Sequence, residues 1–330
     1  MILNRKNIIA SLLCLSFFLN ACQKNIDMIV QDPLQPADPN STWYTSIPDT
    51  AASASLKNDL LLPVQRDSFQ LLAGAVTVFG ASSGLQFEIT GGALTGSIGQ
   101  SYFGTIYAET MLLKKKGDMI RMGLPSTSNG RILLSGGAFY ARLSNNTTTL
   151  SVTPNNHITL TYADTPVFSS MKVFHGDQSS QPGLNWLPAT DSIHNLVQTG
   201  NNFYRLFSSR LNWIQCGQFF DTTGIPQTKL AVDLPLNYTN ANSIAYVSFD
   251  DMRSVTAMSG NAVSRKFISG SLPSNKQVTV IVISKQGNNY YLGYNQAFTA
   301  LPATPGGTQN ITVTPALVSL ADVITFLGTL

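Results

Sequence analysis

The sequence predicts an all-β protein: two antiparallel β-sandwich-like domains after a flexible N-terminal tether, with a short C-terminal helix. Three observations carry that expectation. Beyond Pro63, apolar and polar residues alternate in short runs, which is the period of a half-buried strand. Clusters of Gly, Asn and Ser punctuate the runs at the spacing of sandwich turns. Charge is also sparse. The 330 residues are 43% hydrophobic and 11% charged, against about one quarter charged in an average domain, so neutral polar side chains do most of the solvating. That balance excludes a coiled coil and a charge-rich disordered chain. With 20 Lys+Arg against 17 Asp+Glu, it also excludes a strongly basic nucleic-acid binder. No apolar run approaches the ~20 residues of a membrane span.

The elements follow in chain order. Arg5 and Lys6 precede the apolar stretch 8–19, which ends in Leu19-Asn20-Ala21-Cys22. Twelve apolar residues are too few to cross a bilayer, and the order of charge, apolar core and small residue is that of a secretory signal. The segment resembles a bacterial lipoprotein signal, with Asn20 departing from the usual small or aliphatic residue. In that family the Cys thiol takes a diacylglycerol, the signal is cut before it and the new amine is acylated. The resemblance therefore implies a signal peptide at 1–21 and lipidation of Cys22. Two or three acyl chains hold a protein to a membrane effectively for good. Gln23-Lys24-Asn25-Ile26-Asp27 resembles the stretch that sends lipoproteins of Bacteroidota to the outer face of the outer membrane. Such processing leaves 18 basic against 17 acidic residues and Cys216 as the one remaining thiol, so no intramolecular disulfide is expected.

Residues 22–62 carry Pro33, Pro36, Pro39 and Pro48 among polar residues without apolar period, and are expected to form the tether. A first sandwich is expected over 63–165, with strands at 68–72, 75–79, 85–90, 105–113, 131–134, 138–143, 148–152 and 158–162. The turn-rich stretch 166–200 is expected to be a connection. A second sandwich-like domain is expected over 201–330, with strands at 203–207, 211–216, 229–234, 244–249, 266–268, 278–284, 290–294 and 310–313. Lys285-Gln286-Gly287-Asn288 reads as a tight hairpin. Thr314 and Pro315 suit a helix start, and Leu317, Leu320, Ile324 and Leu327 form one apolar stripe.

Groups able to do chemistry are few. The three histidines, His157, His175 and His194, fall in turns or in the connection, without metal-site spacing on one element. Neither metal nor other cofactor is expected. Glu88 and Glu109, the only two Glu, alternate with apolar neighbours on predicted strands and are expected to point outward, which disfavours the carboxylate pair of a glycosidase. Asp250-Asp251 could ligate calcium through oxygen, but adjacent acids at a strand end ordinarily solvate a turn. Cys216 alternates with Ile214 and reads as core. Lys114-Lys115-Lys116 reads as a solvated hairpin tip, and Gly136-Gly137 inside a strand reads as a bulge or a close backbone approach. Trp43, Tyr44 and Trp186 fall in segments expected to be exposed and are the candidates for ligand contact. No catalytic residue is assigned.

Two further blocks carry a family resemblance. Gly123-Leu124-Pro125-Ser126-Thr127-Ser128-Asn129-Gly130-Arg131 with Ser135-Gly136-Gly137-Ala138-Phe139-Tyr140, and Trp213-Ile214-Gln215-Cys216-Gly217-Gln218-Phe219, are similar to blocks of largely uncharacterised cell-surface lipoproteins of Bacteroidota. In that family the second block usually reads Trp-Ile-Asn-Cys-Asp, so Gln215 and Gly217 are departures. The first block is also similar to the sandwich domains of netrin-receptor and ankyrin-type scaffold proteins. The family implies exported β-domains and no reaction. The expectation is a lipid-anchored, surface-exposed outer-membrane protein that acts as a non-enzymatic binding or structural module for a protein or glycan partner, not for nucleic acid. The alternative is a surface hydrolase of polysaccharide or peptide using Glu88, Glu109 or Cys216.

Overall fold

The computed structural model describes residues 41–96, 99–146, 148–178, 183–299 and 307–330. The expected signal peptide, Cys22 and the first part of the tether lie outside them. The protein is mostly β, as its alternating pattern predicts. The sandwich contains β1 (Gln65–Leu71), β2 (Val76–Gly80), β3 (Gln86–Thr90), β4 (Leu94–Thr95), β5 (Gly104–Leu113), β6 (Thr127–Ser128), β7 (Arg131–Ser144), β8 (Ser151–Val152) and β9 (Ile158–Ala163). It continues with β10 (Lys172–Asp177), β11 (Asn185–Pro188), β12 (Leu196–Thr199), β13 (Phe203–Ser208) and β14 (Asn212–Phe219). One sheet runs β1-β5-β7-β14-β10-β11 and the facing sheet runs β12-β13-β9-β3-β2. Phe87, Ile89, Ile106, Ala108, Phe139, Leu160, Tyr162, Tyr204, Leu206 and Cys216 fill the space between them. Alternation along each strand supplies this core, since inward residues recur every second position.

Three boundaries differ from the expectation. The stretch 166–200 is not a connection: β10, β11 and β12 all pair within the sandwich. Strands β13 and β14, expected to open the second domain, complete the first by pairing with β9 and β7. Long-range pairing decides this, and strand pattern alone carries no information about partners. The two runs expected at 131–134 and 138–143 form one 14-residue strand. Its register slips opposite Cys216 and Gly217, and Gly137 there has φ of +124°. A Cβ on Gly136 would lie 3.1 Å from the Cys216 sulfur and 3.0 Å from the Tyr204 ring. Gly136-Gly137 is thus both a bulge and a close approach.

The second body is one eight-stranded sheet, ordered β23-β16-β19-β18-β17-β21-β22-β24. It comprises β15 (Gln227–Thr228), β16 (Leu230–Asp233), β17 (Ser243–Phe249), β18 (Val255–Asn261), β19 (Lys266–Ser269), β20 (Leu272–Pro273), β21 (Gln277–Gln286), β22 (Asn289–Phe298), β23 (Gln309–Thr312) and β24 (Ala316–Val318), with β15 and β20 paired apart. The hairpin β21–β22 turns on Gly287 at φ +59°. Strands β17 and β21 are buried on both faces, which is why they read as near-continuous apolar runs. Ala245, Val247, Phe249, Val278, Val280 and Val282 meet Leu230, Val232, Phe267 and Ile311 on one face. On the other face Ile244, Tyr246, Ile281 and Ile283 pack under three helices. These are α1 (Ala52–Leu60), α2 (Lys116–Arg121) and α3 (Leu320–Gly328).

The helices correct two further expectations. Helix α1 and the residues around Trp43 belong to the folded body, not to the tether, because Leu56 and Leu60 are fully buried. Helix α3 starts later than expected. Residues 316–318 pair with β22, and Ser319 caps the helix by accepting from the Asp322 N–H while the Asp322 carboxylate accepts from the Ser319 N–H. Val323 and Leu327 are its buried residues.

The Lys114-Lys115-Lys116 run leads from β5 into α2 and is no hairpin tip; Lys114 and Lys115 are exposed, as expected of a solvated run, and Lys116 is half-buried. The three ammonium groups donate to the carbonyls of Ala163, Gly328 and Phe249, at the ends of β9, α3 and β17. Lys115 thereby satisfies one of the orphan carbonyls at the C-terminus of α3. Burial lowers the Lys116 pKa. Gly117 follows, and a Cβ there would sit 1.7 Å from the Leu327 carbonyl oxygen, so α2 and α3 cross only where a side chain is missing. Gly117→Ala is therefore expected to lower the unfolding free energy by about 1–3 kcal/mol. Gly80→Ala, where a Cβ meets nothing within 4 Å, should stay within about 0.5 kcal/mol; urea denaturation of both variants measures the contrast.

Candidate functional site

The structure resolves each candidate residue differently. Trp186 is not on an exposed loop. It lies on β11, 1% exposed, its indole N–H donating to the Pro125 carbonyl at 3.0 Å. Together with Leu113, Leu133 and Phe174 it covers the outer face of the β5-β7-β14 sheet. Its polar tip is satisfied in the core, so it is a packing residue. Trp43 is half-buried with its ring edge-on to Phe267, centroids 5.3 Å apart. The Tyr44 backbone clamps the Asn240 amide, accepting at 2.7 Å and donating at 2.9 Å. Both residues dock the chain leading into α1 onto the second body.

Glu88 and Glu109 point outward as expected, from opposite sheets of the sandwich. Glu88 on β3 pairs with Arg205 on β13 at 2.8 Å. Glu109 on β5 lies between Arg66 at 3.3 Å and Arg142 at 3.0 Å. Sheets in a sandwich pack about 10 Å apart, and with the core between them these carboxylates cannot act on one bond. Asp250 accepts from the Thr279 hydroxyl at 3.0 Å and Asp251 pairs with Lys276 at 2.6 Å. Both acids thus have protein partners.

Cys216 is fully buried against Tyr162, and burial pushes its thiol up to about 12. A thiol held there has almost no thiolate at neutral pH and is no nucleophile. On the other face of the same strand, Gln215 is 1% exposed and its amide has no hydrogen-bond partner among the described residues.

The histidines depart most from the expectation. His175 is no loop residue: it lies on β10, 8% exposed, with Nε2 3.1 Å from the Ser208 hydroxyl. His157 and His194, 37 positions apart in the chain, come together with ring centroids 6.2 Å apart. His194 Nδ1 is 2.7 Å from Asp191. The Phe207 ring lies edge-on to His157 at 5.0 Å. Sequence spacing held no trace of this pair, because the pairing of β9 and β12 through β13 creates it. Among the described residues, no group of three or more His, Cys, Asp and Glu gathers as a metal site, and no helix is long and apolar enough to cross a membrane.

No protein-family profile matches this chain, and no curated protein matches it.

One consequence of burial is measurable. Desolvation, with the Arg210 charge adding to it, pushes His175 down to about 4. Below the ordinary histidine value of about 6.5 the unfolded chain then binds a proton that the folded chain refuses. Stability from this group is complete above about pH 6.5 and falls by roughly 3 kcal/mol as pH drops toward 4. His175→Gln should flatten that part of the profile when urea denaturation is compared between about pH 7 and pH 4. An unchanged difference between the two pH values would contradict it.

Proposed function

We propose that this chain is a lipid-anchored protein of the outer-membrane surface whose β body is a non-enzymatic binding or structural module. The observation that carries the reading is the state of its reactive groups. Glu88 and Glu109 are held in separate ion pairs on opposite faces, and the Cys216 thiol is enclosed in the core. Catalysis needs two such groups within reach of one substrate atom. The anchoring half of the reading rests on Leu19-Asn20-Ala21-Cys22.

A protein partner suits the molecule better than a glycan. Trp186 is buried and Trp43 is half-buried against Phe267, which leaves neither of these two expected sugar-stacking rings free on the surface. Strand β2 instead forms an open edge of its sheet and projects Val76 and Val78, 55% and 58% exposed. An open edge with apolar side chains is what a strand-adding partner recognises.

Protease shaving of intact cells tests the anchoring. The wild type should be digested on whole cells, and Cys22→Ala should be lost from the outer-membrane fraction. A wild-type protein protected until lysis would place the body inside the envelope and overturn the surface reading.

A further inference from the structure

Strand β13 runs antiparallel to both β9 and β12, and its register aligns Thr159, Phe207 and Leu196 in one row. His157 and His194 each lie two residues before that row, one on either side of β13, so their rings meet beside Phe207. We propose that His157 and His194 form a two-imidazole site for a borderline divalent transition cation such as Zn²⁺, Cu²⁺ or Ni²⁺, with water completing the coordination.

Four features argue for it. First, the spacing fits. A zinc–nitrogen bond of about 2.0–2.1 Å plus ~1.1 Å from nitrogen to ring centre puts two coordinated imidazole centres about 5–6.5 Å apart. The observed 6.2 Å lies within that range, and a closure of about 1 Å brings it to the tetrahedral spacing.

Second, His194 is held as metal-ligating histidines are. Its Nδ1 meets the Asp191 carboxylate, which fixes the ring and leaves Nε2 as the ligand. Asp191 also accepts the backbone N–H groups of Ile193 and His194 at 3.0 and 3.2 Å. Asn195 ties this turn to Ser209 beyond the end of β13. Third, His157 Nδ1 is buried with no hydrogen-bond partner among the described residues. Fourth, the neighbouring charges suit a cation. Asp191 and Glu88 are the acids, and Arg205, the local base, is occupied by Glu88. A bound ion would pin the edge strand β12 across β13 to β9.

The test is titration of Zn²⁺ into the full-length chain in detergent, against a chromogenic indicator. One equivalent should bind in the micromolar range. Affinity should fall tenfold or more in His157→Asn and in His194→Gln, and at least severalfold in Asp191→Asn, which acts only by positioning His194. Cu²⁺ paramagnetic resonance on the same proteins gives a readout independent of affinity: two coordinated nitrogens in the wild type and one in either histidine variant. No binding by the wild type at millimolar Zn²⁺, or two nitrogens persisting in both variants, would overturn the site.

Discussion

The rest of the structure depends on the buried ion pair between Arg253 and Asp164. Asp164 directly follows β9 in the sandwich, and Arg253 lies in the β17–β18 turn of the second body. Their side chains are 5% and 16% exposed, so neither charge is solvated without the other. Removing one partner of such a pair typically costs about 3–5 kcal/mol, because the other charge is stranded. The backbone beside them is zipped as well. Ser126 N–H donates to Val255, Ser135 N–H to Arg253, and the Ser254 hydroxyl to Leu133. Strand β7 therefore serves both bodies: Phe139, Ala141 and Leu143 lie in the sandwich core, and Ile132 reaches the core of the second sheet.

That seam gives meaning to the helices. Strands β17 and β21 present apolar side chains on both faces, and the curled sheet covers only one of them. The other face is covered by α1 from before the sandwich, α2 from within it and α3 from the chain end. The three lysines before Gly117 fix α2 to the ends of three separate elements. A short helix inserted between β5 and β7 thus closes the core of the second body, and the two bodies are not independent beads.

Strand character was legible residue by residue, since alternation and Gly/Asn turns are local signals. The β21–β22 hairpin and the Gly136-Gly137 bulge could be read for the same reason, and the buried role of Cys216 followed from its alternation with Ile214. Partnership was not legible. Nothing local says that β13 and β14 pair backward into the sandwich, that Trp186 is covered, or that Lys114-Lys115-Lys116 finds three carbonyls. Helix α1 was hidden because Leu56 and Leu60 make a short stripe amid Pro-rich polar chain. The His157–His194 pair exists only through a register two strands wide. Residues that matter to assembly were therefore the hardest to see.

Differential scanning calorimetry of the full-length chain tests the central claim, that the seam makes one cooperative body of the described residues between 41 and 330. The account predicts a single transition whose calorimetric and van't Hoff enthalpies agree. Two resolved transitions, one for each sheet system, would contradict it.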